Sequence, residues 1–229
     1  MSQIALVTGA SRGLGLALTR ILSRSGWDIV VDARGSEELK AAISDLAGVI
    51  QVPGDVTDTD HRQALARAIE PLGRLDLLVN NASALGPSPQ PGLAGYPLDV
   101  LRRVYEVNVL APLALLQEFL PLLRRSHGVV LNITSDAGVE GYPGWGGYGS
   151  SKAALEQMSR VLAAEETDLR VYWVDPGDMN TTMHQEAYPG EDISDRPPPE
   201  ESVPGLLALI KGTMPSGRYQ ARTVPVSDR

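Results

Sequence analysis

The sequence predicts a single α/β domain, a doubly wound parallel sheet of about seven strands with helices on both faces. Three observations predict it. Short apolar runs rich in Val and Ile alternate with longer amphipathic stretches, the pattern of strands buried on both sides by helices. A glycine-rich turn joins the first run to the first helical stretch. And 229 residues, 43% hydrophobic and 21% charged, are ample to bury a core within one such domain.

The strand-like runs are Ile4–Val7, Ile29–Val31, Val49–Val52, Leu75–Val79, Val129–Ile133 and Val171–Val174. Helical patterns fall between them at 13–25, 36–47, 58–70, 97–125 and 149–167. A helix over 202–211 and a strand over 218–224 close the chain, and the Pro/Gly-rich stretch Gly86–Pro97 reads as a loop. No internal repeat or interdomain linker interrupts this order, so 1–229 is taken as one domain.

Composition removes several function classes. With no cysteine there is no disulfide, thiolate metal site or cysteine nucleophile. His61, His127 and His184 are too scattered for a multi-histidine metal site, so no metal is expected. A net charge of −8 argues against nucleic-acid binding. Most of that charge is local: six acids and one arginine lie between Glu186 and Glu201, beside Pro189, Pro197, Pro198 and Pro199. That segment is either a solvated loop or a flap over a site, within a substrate-loop region at 178–212. No unbroken apolar run is long enough to span a bilayer and Met1-Ser2-Gln3 leads straight into a strand, so a cytoplasmic protein without a membrane partner is expected.

The turn Thr8-Gly9-Ala10-Ser11-Arg12-Gly13-Leu14-Gly15 has the spacing G-x-x-x-G-x-G. Glycine allows unusual torsions and close backbone approach, and the helix that follows offers free N–H groups to a pyrophosphate. Taken alone the motif also fits a purely structural turn. The second run ends Asp32-Ala33-Arg34. An acid there would accept from an adenosine ribose hydroxyl, whereas an arginine would pair with a 2′-phosphate. Register decides between them, and Arg12 in the neighbouring turn favours NADP(H) over NAD(H).

Ser135 follows the run Val129–Ile133, at the sheet edge where open α/β folds place ligands. Thirteen residues on, Tyr148 and Lys152 stand at i and i+4, on one helix face. A phenol with pKa ~10 exchanges protons poorly near neutrality. A neighbouring ammonium is expected to lower that value and make Tyr148 a general acid or base, with Ser135 holding the substrate oxygen. Asn108 precedes Pro112 by four residues. Proline has no N–H, so the Asn108 carbonyl loses its helical partner and could anchor a relay water toward Lys152, the alternative being a plain kink.

These pieces, TGASRGLG (8–15), DV (55–56), NNAS (80–83), Asn108, Ser135, YGSSK (148–152) and PGDMNT (176–181), together resemble the short-chain dehydrogenase/reductase family over nearly the whole chain. The resemblance implies a Rossmann fold and an NADP(H)-dependent oxidoreductase. By it, Asn108, Ser135, Tyr148 and Lys152 form the catalytic set, with Lys152 also on the nicotinamide ribose. Cofactor contacts would come from Gly9, Ser11, Arg12, Gly13, Leu14 and Gly15 in the first turn, from Ala33 and Arg34, from Asp55 and Val56 at the adenine, and from Asn81 and Ala82. Tyr148, Lys152, Pro176, Gly177, Met179 and Thr181 would complete that set. Ser83 stands where the family carries a glycine.

The expected activity is hydride exchange between NADP(H) and the carbonyl or secondary alcohol of a small molecule, reduction being favoured. A catalytically silent nucleotide-binding regulator of the same fold is the rival, though it would not need all four catalytic residues. Leu85, Asp136, Val139, Tyr142, Trp145, Met183 and His184 are the expected pocket residues. A homodimer or homotetramer through the helices at 97–125 and 149–167 is expected.

Overall fold

The computed structural model describes residues 2–226. Seven parallel strands form one sheet in the order β3-β2-β1-β4-β5-β6-β7. They are β1 Ile4–Val7, β2 Asp28–Val31, β3 Val49–Gln51, β4 Leu77–Asn80, β5 Val129–Ile133, β6 Arg170–Asp175 and β7 Gly217–Gln220. The helices are α1 Gly13–Arg24, α2 Ser36–Ala42, α3 Thr59–Ile69, α4 Leu98–Tyr105, α5 Ala111–Ser126, α6 Gly146–Glu165, α7 Thr182–Ala187 and α8 Val203–Lys211. This is the predicted doubly wound fold.

Side chains alternate across the sheet, and each face has its own core. Ala5, Val7, Ile29, Val31, Leu77 and Val79 point to the face covered by α1, α2 and α8. Ile4, Leu6, Val30, Leu78, Val130 and Val171 point to the face covered by α3, α5 and α6. With both faces buried, the strands read as unbroken apolar runs. Strand order reverses between β1 and β4, and the crevice at such a switch point is where these sheets take their ligands.

Four local differences separate expectation from structure. Helix α2 ends at Ala42, well short of 47, because the chain must turn through Gly48, at φ +70°, to reach β3. The last strand covers only Gly217–Gln220 and gives way to a 3₁₀ turn at Ala221–Thr223. The Gly86–Pro97 loop contains a 3₁₀ turn, Leu93–Gly95. The stretch expected as one helix over 97–125 is α4 and α5 joined by a π-helical segment, Glu106–Leu110. The run Leu98–Ser126 is long and apolar enough by length and composition to cross a membrane, which a search for unbroken apolar residues does not find. Its Leu115, Phe119 and Leu123 are buried against the sheet.

Candidate active site

The glycine turn is held from below by Asp32. Its Oδ1 accepts from the Gly9 N–H at 2.9 Å, its carbonyl accepts from the Ala10 N–H at 2.9 Å, and its Oδ2 meets His61 Nε2 at 3.1 Å. Asp32 is 1% exposed. Burial raises its carboxyl above the ordinary value, opposed by the His61 and Gly9 hydrogen bonds. Asp32 is thus committed to the turn and to His61, which removes it as a ribose acceptor. Arg34, two residues on, is exposed, as is Arg12, and neither side chain has a hydrogen-bond or ion-pair partner among the described residues.

The turn itself tolerates no side chain at two places. Gly9 has φ +69°, and a Cβ there would lie 2.9 Å from the Ala82 Cα. A Cβ on Gly15 would lie 2.5 Å from the Gly9 carbonyl oxygen. Asn81 closes the turn from β4 by donating to the carbonyls of Thr8 and Gly9 at 2.8 and 3.1 Å. Thr8 Oγ1 in turn accepts from the N–H groups of Asn81 and Ala82 at 3.0 Å. A cradle closed to side chains, opening α1 and flanked by two unpaired guanidinium groups, fits a pyrophosphate carrying a further phosphate. Asp55 has its oxygens taken by Thr57 (2.9 Å from N, 2.7 Å from Oγ1) and by Arg103. Burial opposes ionisation there, but those partners win and hold the carboxyl below its ordinary value. The neighbouring Val56 is buried in the α3-side core.

At the C-terminal edge of β5 and β6 a cavity of about 360 Å³ opens. Ser135, Tyr148, Pro176, Gly177, Met179 and Thr181 line it, so the structure brings these predicted residues together. The space between Thr181 and the glycine turn is narrow, for a Cβ on Gly13 would lie 3.6 Å from the Thr181 methyl. Of the expected pocket residues, Leu85, Asp136, Tyr142, Trp145, Met183 and His184 line the cavity. Val139 does not: it is 57% exposed and follows a 3₁₀ turn, Asp136–Gly138, that carries it away from the site.

Lys152 lies behind the cavity wall, 2% exposed, donating to the Ile133 carbonyl at 2.8 Å, with Nζ 5.4 Å from the Tyr148 ring centroid. Burial pushes its ammonium down to about 7. Burial also raises the Tyr148 phenol well above its ordinary value; a Ser83 hydrogen bond opposes this and the Asp175 and Asp136 carboxylates reinforce it. The expected lowering of the phenol by Lys152 does not prevail in this structure: burial dominates, and Lys152 is not among the groups that shift the phenol. The phenol is therefore neutral near pH 7 and holds its proton more tightly than a free tyrosine does.

This has a measurable consequence for stability. An unfolded lysine keeps its proton to about 10.5, whereas folded Lys152 releases it from about 7. Between those values the unfolded chain binds more protons, so stability rises with pH through that window. Lys152→Met should remove that rise of up to a few kcal/mol, read by urea unfolding at several pH values between 7 and 10.

Asn108 sits in the π-helical segment, 1% exposed. Its Oδ1 accepts from Ser83 Oγ (3.1 Å) and the Ala84 N–H (2.8 Å), and its Nδ2 donates to the Ala84 carbonyl and Ser151 Oγ, both at 2.9 Å. The side chain is a clamp between the loop after β4 and α6, leaving its backbone carbonyl for any relay. Pro112, buried at the start of α5, accounts for the register change, since it offers no N–H to that carbonyl.

Two supports were invisible in the sequence. Buried Glu156 accepts from Thr134 Oγ1 (2.8 Å) and Arg218 Nε (3.0 Å), and Arg218 also reaches the Ser135 carbonyl at 3.3 Å. A second chain runs from Asn80 through Asn132 to Ser159, at 2.7 and 2.8 Å, tying β4, β5 and α6. Together they fix the strand ends that carry Ser135 and the NNAS segment.

A nucleotide cradle at the switch point, beside a Ser, Tyr and Lys set at the strand ends, defines a Rossmann-type oxidoreductase. The comparisons with known proteins specify it further: a family model described as short chain dehydrogenase matches residues 3–192. The chain belongs to that family. It is 32% identical over 187 residues to the L-fucose dehydrogenase of Mus musculus, covering 80% of this chain and 68% of the relative. It is 38% identical over 174 residues to a rhamnolipids biosynthesis 3-oxoacyl-[acyl-carrier-protein] reductase of Pseudomonas aeruginosa, covering 71% and 66%. A short chain dehydrogenase from Escherichia coli CFT073, solved in complex with NADPH, superposes with a TM-score of 0.89 at 32% identity, covering 96% of each chain. This chain is thus an oxidoreductase whose fold binds a nicotinamide cofactor and acts on small molecules.

Proposed function

We infer that this protein is an NADP(H)-dependent reductase of small-molecule ketones, with Tyr148 as the proton donor. The observation that carries the reading is the cavity at the ends of β5 and β6, which both Ser135 and a neutral Tyr148 line, with Thr181 between it and the glycine cradle. When bound, NADPH supplies the hydride for the carbonyl carbon. Tyr148 supplies the proton for the carbonyl oxygen, so the product is a secondary alcohol. Ser135 orients that oxygen, and Lys152, with its proton released near pH 7, is placed to exchange protons behind the phenol.

The choice of NADP(H) rests on Asp32 being consumed by Gly9 and His61 while Arg12 and Arg34 stay exposed. The 2′-phosphate would pair with these guanidinium groups. Fluorescence titration of NADPH and NADH tests this. Arg34→Ala should weaken NADPH by about ten- to a hundredfold, the worth of a charged hydrogen bond, and leave NADH unchanged. Equal loss of both cofactors, or tighter NADH binding by the wild type, would refute it.

The protein is further read as a cytoplasmic homo-oligomer. Leu98, Leu110 and Val161 are 65%, 48% and 45% exposed on α4, the π-helical segment and α6, the helices expected to pair. The segment 178–212 serves as the substrate loop, since its Met183, His184 and Tyr188 help line the cavity.

A further inference from the structure

Three carboxylates line the cavity at the ends of β5 and β6. Asp136, Asp175 and Asp178 stand in its wall, and no lysine or arginine does. The nearby arginines are engaged: Arg222 donates to the Asp178 carbonyl and to Ser202 Oγ. Arg218 lies 3.8 Å from Asp175 but 3.0 Å from Glu156, and Arg196 lies 3.7 Å from Asp178 but 2.6 Å from Asp195. Asp136 has no cationic partner among the described residues. Its oxygens accept only from neutral groups: Ser135 Oγ at 2.9 Å, the Ala137 N–H at 2.8 Å and Tyr142 Oη at 3.1 Å. After burial, Asp136 and Asp178 help raise the Asp175 carboxyl and the Tyr188 phenol.

Aromatic rings line the same cavity. The Trp145 ring lies 5.8 Å from that of Tyr148 and 5.9 Å from that of Tyr188, and His184 lies 5.0 Å from Tyr188. His184 Nε2 is buried there without a hydrogen-bond partner among the described residues. Its Nδ1 lies 3.9 Å from Asp178 Oδ1. Carboxylates and aromatic rings lining one cavity form an environment that stabilises an alkylammonium group and repels carboxylates and phosphates.

We propose that the substrate is a ketone bearing a protonated alkylamine, held by Asp136, Asp178 and the rings of Trp145 and Tyr188 in the cavity they line together. The proposal rests on the carbonyl-reduction reading above and names its substrate class. It disfavours acyl thioesters carrying phosphates, and free keto acids.

The test compares three para-substituted acetophenones, with dimethylaminomethyl, isobutyl and carboxymethyl groups, on the wild type, Asp136→Asn and Asp178→Asn. The ammonium ketone should exceed its isobutyl isostere in kcat/KM by about tenfold, mainly through KM. That ratio should fall toward one in both variants, and the carboxymethyl ketone should be the poorest. Calorimetric binding of benzyldimethylamine, which has no carbonyl, to the NADP-loaded enzyme separates the two readings. If it binds and weakens in the variants while no ketone is reduced, the cation subsite stands and the reductase reading falls. If ketones are reduced with the isobutyl or carboxymethyl compound preferred, the reductase stands and the cation subsite is overturned. Neither binding nor reduction would overturn both.

Discussion

Tyr148→Phe should lower kcat for ketone reduction by about 10²- to 10⁴-fold, the range for removing a positioned general acid, while leaving NADPH affinity close to that of the wild type. The substitution removes one hydroxyl and keeps the ring, which is 8% exposed and packs edge-on against Trp145 at 5.8 Å. The loss falls on kcat because proton donation is needed only as charge develops on the carbonyl oxygen. The position of the phenol's pKa adds a direction. Burial and the Asp175 and Asp136 carboxylates keep it protonated beyond neutral pH, so reduction should not decline through phenol ionisation anywhere below pH 10. Stopped-flow turnover across that range checks both points. A variant with more than a tenth of wild-type kcat would remove Tyr148 from the chemistry.

The second large effect is on stability. Asp32→Ala should cost about 2–4 kcal/mol, as expected when two buried hydrogen-bonding groups lose their partner, and lower Tm by roughly 10 °C. The variant leaves His61, 7% exposed, without its 3.1 Å partner, and strips the Gly9 N–H of its acceptor. Because the same carboxylate holds the glycine turn, the loss should extend to cofactor affinity. Urea unfolding and cofactor titration on one preparation measure both. An exposed ribose-binding aspartate would behave differently, changing NADH affinity with little change in stability.

How much of this was legible beforehand depended on whether the cause was local. The strands were readable because both faces are buried: Ile4–Val7 and Val129–Ile133 are apolar runs whose bounds agree with β1 and β5. The glycine turn was readable because its spacing is a steric requirement, as the 2.5 Å clash at Gly15 shows. Helix α6 begins at Gly146, ahead of the expected 149, since glycines there carry no apolar signal yet are buried against neighbours. Asp32 was ambiguous in sequence because its partner, His61, is 29 residues away. Glu156 and Arg218, 62 residues apart, left no local trace, and neither did the Asn80, Asn132 and Ser159 chain. The raised phenol was missed for a related reason: helix spacing puts Lys152 beside Tyr148, but only the folded surroundings show that both are buried.

The substrate cavity was legible in its members more than in its character. Six of the seven expected pocket residues line it, but Asp175, Asp178 and Tyr188 come from the end of β6 and the segment around α7. Nothing near Asp136 in sequence indicates that two further carboxylates face it. The acidic cast of the site is a product of folding.

The central claim is that hydride and proton meet on one ketone at Tyr148. The most direct test incubates wild type and Tyr148→Phe with NADPH deuterated at the transferable position and the best acetophenone of the series, and follows deuterium into the alcohol by mass spectrometry. The account predicts one deuterium on the carbinol carbon with wild type and a hundredfold or slower appearance with the variant. Deuterium transfer at equal rates in both proteins, or none in a wild type that binds NADPH tightly, would contradict it.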